Sequence, residues 1–230
     1  MQCGLDGERG NGNGSLMRIL PLAYIPGITY EKIEKVSALT HAHPRSKISC
    51  ALYIEIAMSM LENDLEMSEH IFNACDKIKE YYGGSPELEH FKRIFENDLE
   101  EVEAKGYVIS TFESVIHCLL TTSSYKEAVL KAVNFGRDTD TVGAICGGLA
   151  GIYYGFDEIP SEWLSEVSQI GYVFDLCDKF EKVCLEISLK GFNFYFFKGF
   201  LIILKFPMIK FIKNILYILL INRYFDYCAI

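Results

Sequence analysis

Two carboxylates two residues apart, followed at once by a hydroxyl, stand in the stretch Gly136-Arg137-Asp138-Thr139-Asp140-Thr141-Val142-Gly143-Ala144. Asp138, Asp140 and Thr141 offer oxygens of the kind that a hard divalent cation such as Mg2+ or Mn2+ takes. Asp138 and Asp140 are also this chain's candidates for accepting a proton from water. The same residue types have a plainer use where a loop runs into a helix, because Asp and Thr accept hydrogen bonds from the first N–H groups and offset the helix dipole. The residues by themselves leave both uses open. A second cluster lies near the amino terminus, where Gly4, Gly7, Gly10, Gly12 and Gly14 mark residues 4–14 as a loop. Around Gly12, Asn13 and Gly14 the backbone can approach an anionic group closely, with Asn13 adding donor and acceptor capacity; an ordinary turn would read the same way.

The elements that must position these residues are helical throughout. An apolar run over 15–24 stops at Pro26-Gly27. Thr29 suits the N-cap of a helix over 30–41, in which Ile33, Val36 and Leu39 recur at helical spacing. Pro44 suits the first turn of the next helix, where Ile48, Ala51, Leu52, Ile56 and Met60 share a face. Further helices are predicted over 68–81, 86–95, 108–120, 125–135, 141–154, 162–171 and 174–189. No run of period-two alternation competes with them, so the fold class is all-α. Gly143, Gly147, Gly151 and Gly155 recur every four residues, which on a helix leaves a stripe that another backbone can approach. The helix carrying them is too short to span a bilayer, so a buried contact in a helical core is expected.

Composition narrows the function classes. The formal charge of −9 argues against a nucleic-acid surface, which relies on clustered Lys and Arg. The eight cysteines, from Cys3 to Cys228, form no C-x-x-C pair and no His spacing suited to zinc, and read as buried free thiols. No basic segment followed by an apolar stretch opens the chain, so a cytoplasmic location is expected. Charge divides unevenly: residues 190–230 hold six basic side chains against one acid, Asp226, for a net +5, leaving −14 on residues 1–189. That shift marks a boundary between a helical domain over 1–189 and a hydrophobic, basic tail over 190–230.

Four segments resemble the ADP-ribosylglycohydrolase family in the family's order: Gly12-Asn13-Gly14-Ser15-Leu16-Met17-Arg18, Thr40-His41-Ala42-His43-Pro44, Gly106-Tyr107-Val108, and the run from Gly136 to Gly155 that ends Gly-Leu-Ala-Gly-Ile-Tyr-Tyr-Gly. The resemblance covers about residues 4–170. It implies an all-helical fold with a binuclear Mg2+ or Mn2+ centre at the base of an ADP-ribose cleft. It also implies that Asp138, Asp140 and Thr141 match metal ligands, Asp140 being the shared one. By the same resemblance Gly12, Asn13 and Gly14 border the diphosphate, while His41 and Tyr107 contact the ligand. The residues leave His41 equally readable as a helix-end histidine satisfying the last carbonyls, and Tyr107 as a core aromatic. His43 reads as structural.

The chain departs from the family in one respect: no T-D-D metal motif and no G-D-A-L segment occurs. Asp138, Asp140 and Thr141 alone would underfill a binuclear site, so the sequence reads as amino-terminally truncated, split or degenerate, with a separate polypeptide carrying the absent portion as a candidate partner. In the tail, Lys198, Lys205, Pro207, Lys210 and Lys213 interrupt every long apolar run, so no transmembrane span is expected. The function that follows is metal-dependent hydrolysis of the bond between ADP-ribose and a protein side chain or small-molecule carrier. The rival is a non-catalytic ADP-ribose-binding or structural fragment of the same fold.

Overall fold

A computed structural model describes residues 3–191, and the expectations for the tail beyond residue 191 lie outside the described residues. The amino-terminal loop leads into a 3-10 turn over Asn13–Ser15, helix α1 over Leu16–Ile19 and a second 3-10 segment over Leu20–Tyr24. A single helix was predicted over 15–24. Pro21 at the start of the last segment removes an N–H donor and tightens the turn. Helix α2, Tyr30–Ser37, is capped by Thr29, whose hydroxyl accepts from Lys32 N at 3.4 Å. It stops four residues before its predicted end, and the chain then turns so that His41 pairs with Leu5 in an isolated parallel bridge. Pro44 opens helix α3, Pro44–Glu62, and His43 caps it, with Nδ1 accepting from Arg45 N at 3.2 Å. His43 is thus structural, as its place before Pro44 implied.

Helix α4, Met67–Tyr82, begins with a capping box made by Glu66 and Glu69. The helix predicted over 86–95 is a 3-10 segment, Pro86–Phe91, followed by the single turn of α5, Lys92–Phe95. Helices α6, Val108–Leu120, and α7, Tyr125–Val133, lead to α8, Thr139–Tyr154, which begins two residues earlier than predicted and ends at Gly155 with φ +94°. The helix predicted over 162–171 is interrupted. Helix α9, Ser161–Ser165, stops, Gln169 takes a left-handed φ of 62°, and α10 runs over Ile170–Gly191. The charge boundary after Leu189 therefore falls inside α10.

Two buried helices organise the rest. Residues 48–57 of α3 and 141–152 of α8 are buried on every side. Helices α2 and α4 pack on α3, α6 and α7 pack on α8, and α3 meets α8 directly. Tyr53, 1% exposed, joins the two by donating its hydroxyl to Ile145 O at 2.9 Å, while its ring meets Phe112 of α6 edge-on at 6.1 Å. Gly143, Gly147 and Gly151 are all buried. Cys146 on the same helix donates its thiol to Ala128 O of α7 at 3.6 Å. Cys50, Cys75, Cys118, Cys146, Cys177 and Cys184 are buried free thiols; Cys3 is exposed. Among the described residues no helix is long and apolar enough to cross a membrane.

Two outcomes check this packing. Tyr53→Phe should lower the free energy of unfolding by about 1 kcal/mol in urea titrations, since one buried neutral hydrogen bond is lost without a cavity. Stability should also fall on acidification. His70, 1% exposed with Nδ1 2.8 Å from Ser59 Oγ, has its pKa pushed below the ordinary 6.5 by burial. A depressed folded-state pKa favours folding fully above 6.5 and loses that advantage as pH drops through the folded value. The urea midpoint should therefore decline between neutral pH and the acid side of that value, and decline less in His70→Asn.

Candidate active site

The acidic helix start does not act as a plain cap. Gly136 and Arg137 take left-handed φ values of 77° and 63°, a conformation uncommon for a non-glycine residue, and they set Asp138 at the N-cap position of α8 with no side-chain hydrogen bond to the helix backbone. The carboxylate turns elsewhere. Its Oδ1 accepts from the Thr141 hydroxyl at 3.0 Å and its Oδ2 accepts from Asn13 Nδ2 at 2.6 Å. Asn13 is 8% exposed and gives its second amide hydrogen to Thr111 Oγ1 at 2.9 Å; Thr111 in turn donates to Lys105 O at 2.6 Å. Asp140, one residue into the helix and half-buried, has no hydrogen bond or ion pair among the described residues.

The glycine loop is held against this start by its backbone. Gly12 and Tyr107 form an isolated antiparallel bridge, with Asn13 N donating to Gly106 O at 3.2 Å and Val108 N donating to Asn11 O at 2.9 Å. The Asn13 N–H is thus spent inside the protein and does not face an open ligand space. The missing side chains of Gly12 and Gly14 make room for His41. A Cβ on Gly12 would lie 3.2 Å from His41 Nε2, and one on Gly14 would lie 3.0 Å from His41 Cε1, both tighter than ordinary contact. His41 Nδ1 lies 2.7 Å from Thr40 Oγ1, to which Arg18 also donates at 2.5 Å. Burial, then the Arg18 charge, pushes the His41 pKa below its usual value, so the imidazole is neutral at pH 7. Its side chain does not cap α2. Arg18 does so, through Val36 O at 3.3 Å and Ser37 O at 3.4 Å.

Across the loop, Tyr107 caps α6 and is 36% exposed, which excludes a core role. Its hydroxyl accepts from Arg45 Nη1 at 3.5 Å. Arg45, 8% exposed at the start of α3, also donates to Glu87 at 2.5 Å and pairs in bidentate fashion with Glu8 at 3.0 and 3.2 Å. Burial disfavours its charge, but the hydrogen bonds to Glu87 and Glu8 outweigh that and raise its pKa.

The arrangement brings Asp138, Thr141 and Asn13 into contact, seats His41 over Gly12 and Gly14, and joins Tyr107 to the loop through the Gly12 bridge. Chemically it presents a fixed amide, Asn13, on the Asp138 carboxylate, a neutral imidazole over the glycines, and a half-buried carboxylate, Asp140, two residues after Asp138. The donor set does not fit a complete divalent site. Among the described residues no group of three or more His, Cys, Asp or Glu is placed to hold a metal, whereas Mg2+ demands near-octahedral oxygen coordination. Sequence reasoning missed Thr111, Arg18 and Arg45. Arg18 ends one quoted motif, Arg45 follows another, and both carry charge, so position in or next to a motif was their available signal. Thr111 had none beyond lying one helical turn after Tyr107.

A sequence profile of the ADP-ribosylglycohydrolase family matches residues 2–189. The chain is 31% identical over 160 residues to the ADP-ribosyl-[dinitrogen reductase] glycohydrolase of Rhodospirillum rubrum, covering 68% of this chain and 50% of that protein. It is 28% identical to the ADP-ribosylarginine hydrolase Tri1 of Serratia proteamaculans (strain 568), with 66% of this chain and 40% of that protein covered. Among solved structures it resembles an ADP-ribosylglycohydrolase-related protein complex with a TM-score of 0.62 at 24% identity, over 79% of this chain and 61% of that chain, a likeness of fold. The chain thus spans about half the length of the curated relatives it matches.

The Asn13 bridge has a measurable energy. Asn13→Ala leaves the Asp138 carboxylate without its shortest partner and Thr111 without a donor, and should cost about 2 kcal/mol in urea unfolding. Asn11→Ala, which removes bonds to Glu8 O and Ser46 with no charged partner, should cost about half as much.

Proposed function

Because the chain belongs to the ADP-ribosylglycohydrolase family, we propose that it acts in hydrolysis of the bond joining ADP-ribose to a protein side chain or small-molecule carrier. The observation that supports this reading best is the 2.6 Å bond between Asn13 and Asp138. It joins the glycine loop to the acidic helix start, 125 residues apart in sequence; in that helix start the Asp140 carboxylate, two residues on, has no partner among the described residues. In this reading Gly12 and Gly14 border the diphosphate, and Tyr107 and the neutral His41 line the ligand. Asp140 takes a proton from water as the water oxygen bonds to the anomeric carbon. The glycosidic bond breaks with its electron pair leaving on the carrier atom, which takes up a proton from solvent, and Asp140 returns the water's proton to solvent. Asp138, held by Asn13 and Thr141, positions the helix start and adds negative charge as oxocarbenium character develops.

Mg2+ or Mn2+ dependence belongs to the same proposal, with Asp138, Asp140 and Thr141 as part of a ligand set whose other donors lie beyond the described residues. A separate polypeptide is one source for them, and the cytoplasm is the proposed setting. A second reading, ADP-ribose binding without turnover, is supported by the incomplete donor set for a metal among the described residues.

The test is release of ADP-ribose from a modified protein, with Mg2+ or Mn2+, by the chain alone and with a polypeptide supplying a T-D-D segment. Asp140→Asn should reduce the rate by about 10²-fold with an unchanged melt, and Thr141→Ala should reduce it less. Binding of ADP-ribose without release under either condition would establish the second reading. Neither binding nor release would overturn both.

A further inference from the structure

Helix α3 has a second polar end. Glu55 lies ten residues after Arg45, about 15 Å along the helix at 1.5 Å per residue, and its side chain is 7% exposed. It lines an open cleft of ≈ 360 Å³ between the start of α2, α3 and the end of α4, together with Ile28, Tyr30, Glu31, Met58 and Tyr81. None of these residues has a part in the site described above. Glu55 Oε2 accepts from the Tyr30 hydroxyl at 2.8 Å, and Oε1 pairs with Lys77 Nζ at 2.5 Å. Lys77 is 59% exposed and stands one helical turn before Tyr81 on the same side of α4. Tyr81 is 51% exposed, and its ring meets that of Tyr30 edge-on at 4.6 Å.

We propose that this cleft binds an organic cation on an alkyl stem, a guanidinium or alkylammonium group, with Glu55 beneath the charge and Tyr30 and Tyr81 beside it. The chemistry converges on that class. Two of the lining residues, Glu31 and Glu55, are acidic and no lining residue is basic. Tyr30 and Tyr81 line the cleft, and aromatic rings attract a cation, while the Met58 thioether with Ile28 and Ile33 provides apolar surface for a stem. A carboxylate can accept about four hydrogen bonds, so Glu55 retains capacity beyond Tyr30 and Lys77. Burial, then the bond to Glu55, raises the Tyr30 pKa, in keeping with concentrated negative charge. Lys77, mostly in solvent, is the built-in competitor: its ammonium occupies the carboxylate that a ligand would approach.

The probe is butylguanidinium, titrated calorimetrically into the whole chain against its neutral isostere N-butylurea. Butylguanidinium should bind with a dissociation constant of about 1 mM and the urea should not bind measurably. Tyr81→Ala, at an exposed position, should weaken binding by roughly threefold to thirtyfold, and Lys77→Met should strengthen it by removing the competing charge. Equal binding of the urea, no loss in Tyr81→Ala, or weaker binding in Lys77→Met would each overturn the proposal. A capped Gly-Arg-Gly peptide distinguishes the sources: markedly tighter binding than butylguanidinium identifies a polypeptide segment, and equal binding identifies a free small cation. The proposal is independent of the hydrolytic reading, since saturating ADP-ribose should leave the titration unchanged.

Discussion

The charge-assisted hydrogen bond from the Asn13 amide to the Asp138 carboxylate, 2.6 Å long and half-buried, holds the chain's amino-terminal loop to its central helix. A hydrogen bond to a charged group contributes roughly 1.5–3 kcal/mol, a large share of the 5–15 kcal/mol by which ordinary domains are stable. Several features follow from it. With Asp138 turned toward Asn13 and Thr141, the first N–H groups of α8 have no cap from that side chain. The left-handed Gly136 and Arg137 are the backbone conformation that aims it there. Asn13 spends both amide hydrogens, on Asp138 and Thr111, so its orientation is fixed from two sides and α6 is tied to the same junction.

Around this junction the groups are arranged so that few charges are left alone in low dielectric. Arg18 satisfies the carbonyl end of α2 and supports Thr40, leaving His41 neutral above the two glycines. The imidazole fits there because Gly12 and Gly14 have no Cβ; with a methyl group at either position, atoms would approach to 3.2 or 3.0 Å. Asp140 is the exception, a half-buried carboxylate that the protein does not neutralise. A carboxylate left unengaged by the protein is available when a cation or a reacting water comes to it.

Buried charge also shapes the two ends of α3. Arg45 is engaged by Glu87, Glu8 and Tyr107, and Glu55 by Tyr30 and Lys77. Glu113 on α6 follows the same rule: burial raises its pKa and Arg93, 2.8 Å away, draws it back. Desolvating each of these ions costs several kcal/mol, which pairing offsets without a large surplus. Their structural contribution is therefore to register. A helix whose single buried cation must meet two carboxylates cannot slide or rotate without stranding one of them.

Periodicity and local chemistry in the sequence determined the helices. Thr29 and Pro44 mark helix starts because their effects act within one turn, and the glycines of α8 mark a buried helix because a side-chain-free stripe has little use in water. Helix ends were less legible: α2 stops at Ser37 because the chain is drawn into a bridge with Leu5, and that partner lies more than thirty residues away. The motif residues Gly12, Asn13, His41, Tyr107, Asp138, Asp140 and Thr141 could be named from their types and order. What most of them touch was decided by tertiary structure. D-T-D-T is equally a helix cap or a ligand set until Asn13 arrives to claim one of the Asp138 oxygens. The glycines read as ligand-facing backbone from sequence, and only the folded structure shows that His41 packs where their side chains would be. The cleft at Glu55 left no trace in the sequence, because Tyr30, Glu55 and Tyr81 sit on three helices with unremarkable local patterns. Hydrogen bonds and charges at such separations are set by how helices pack, and a linear pattern records only what lies within a turn or two of itself.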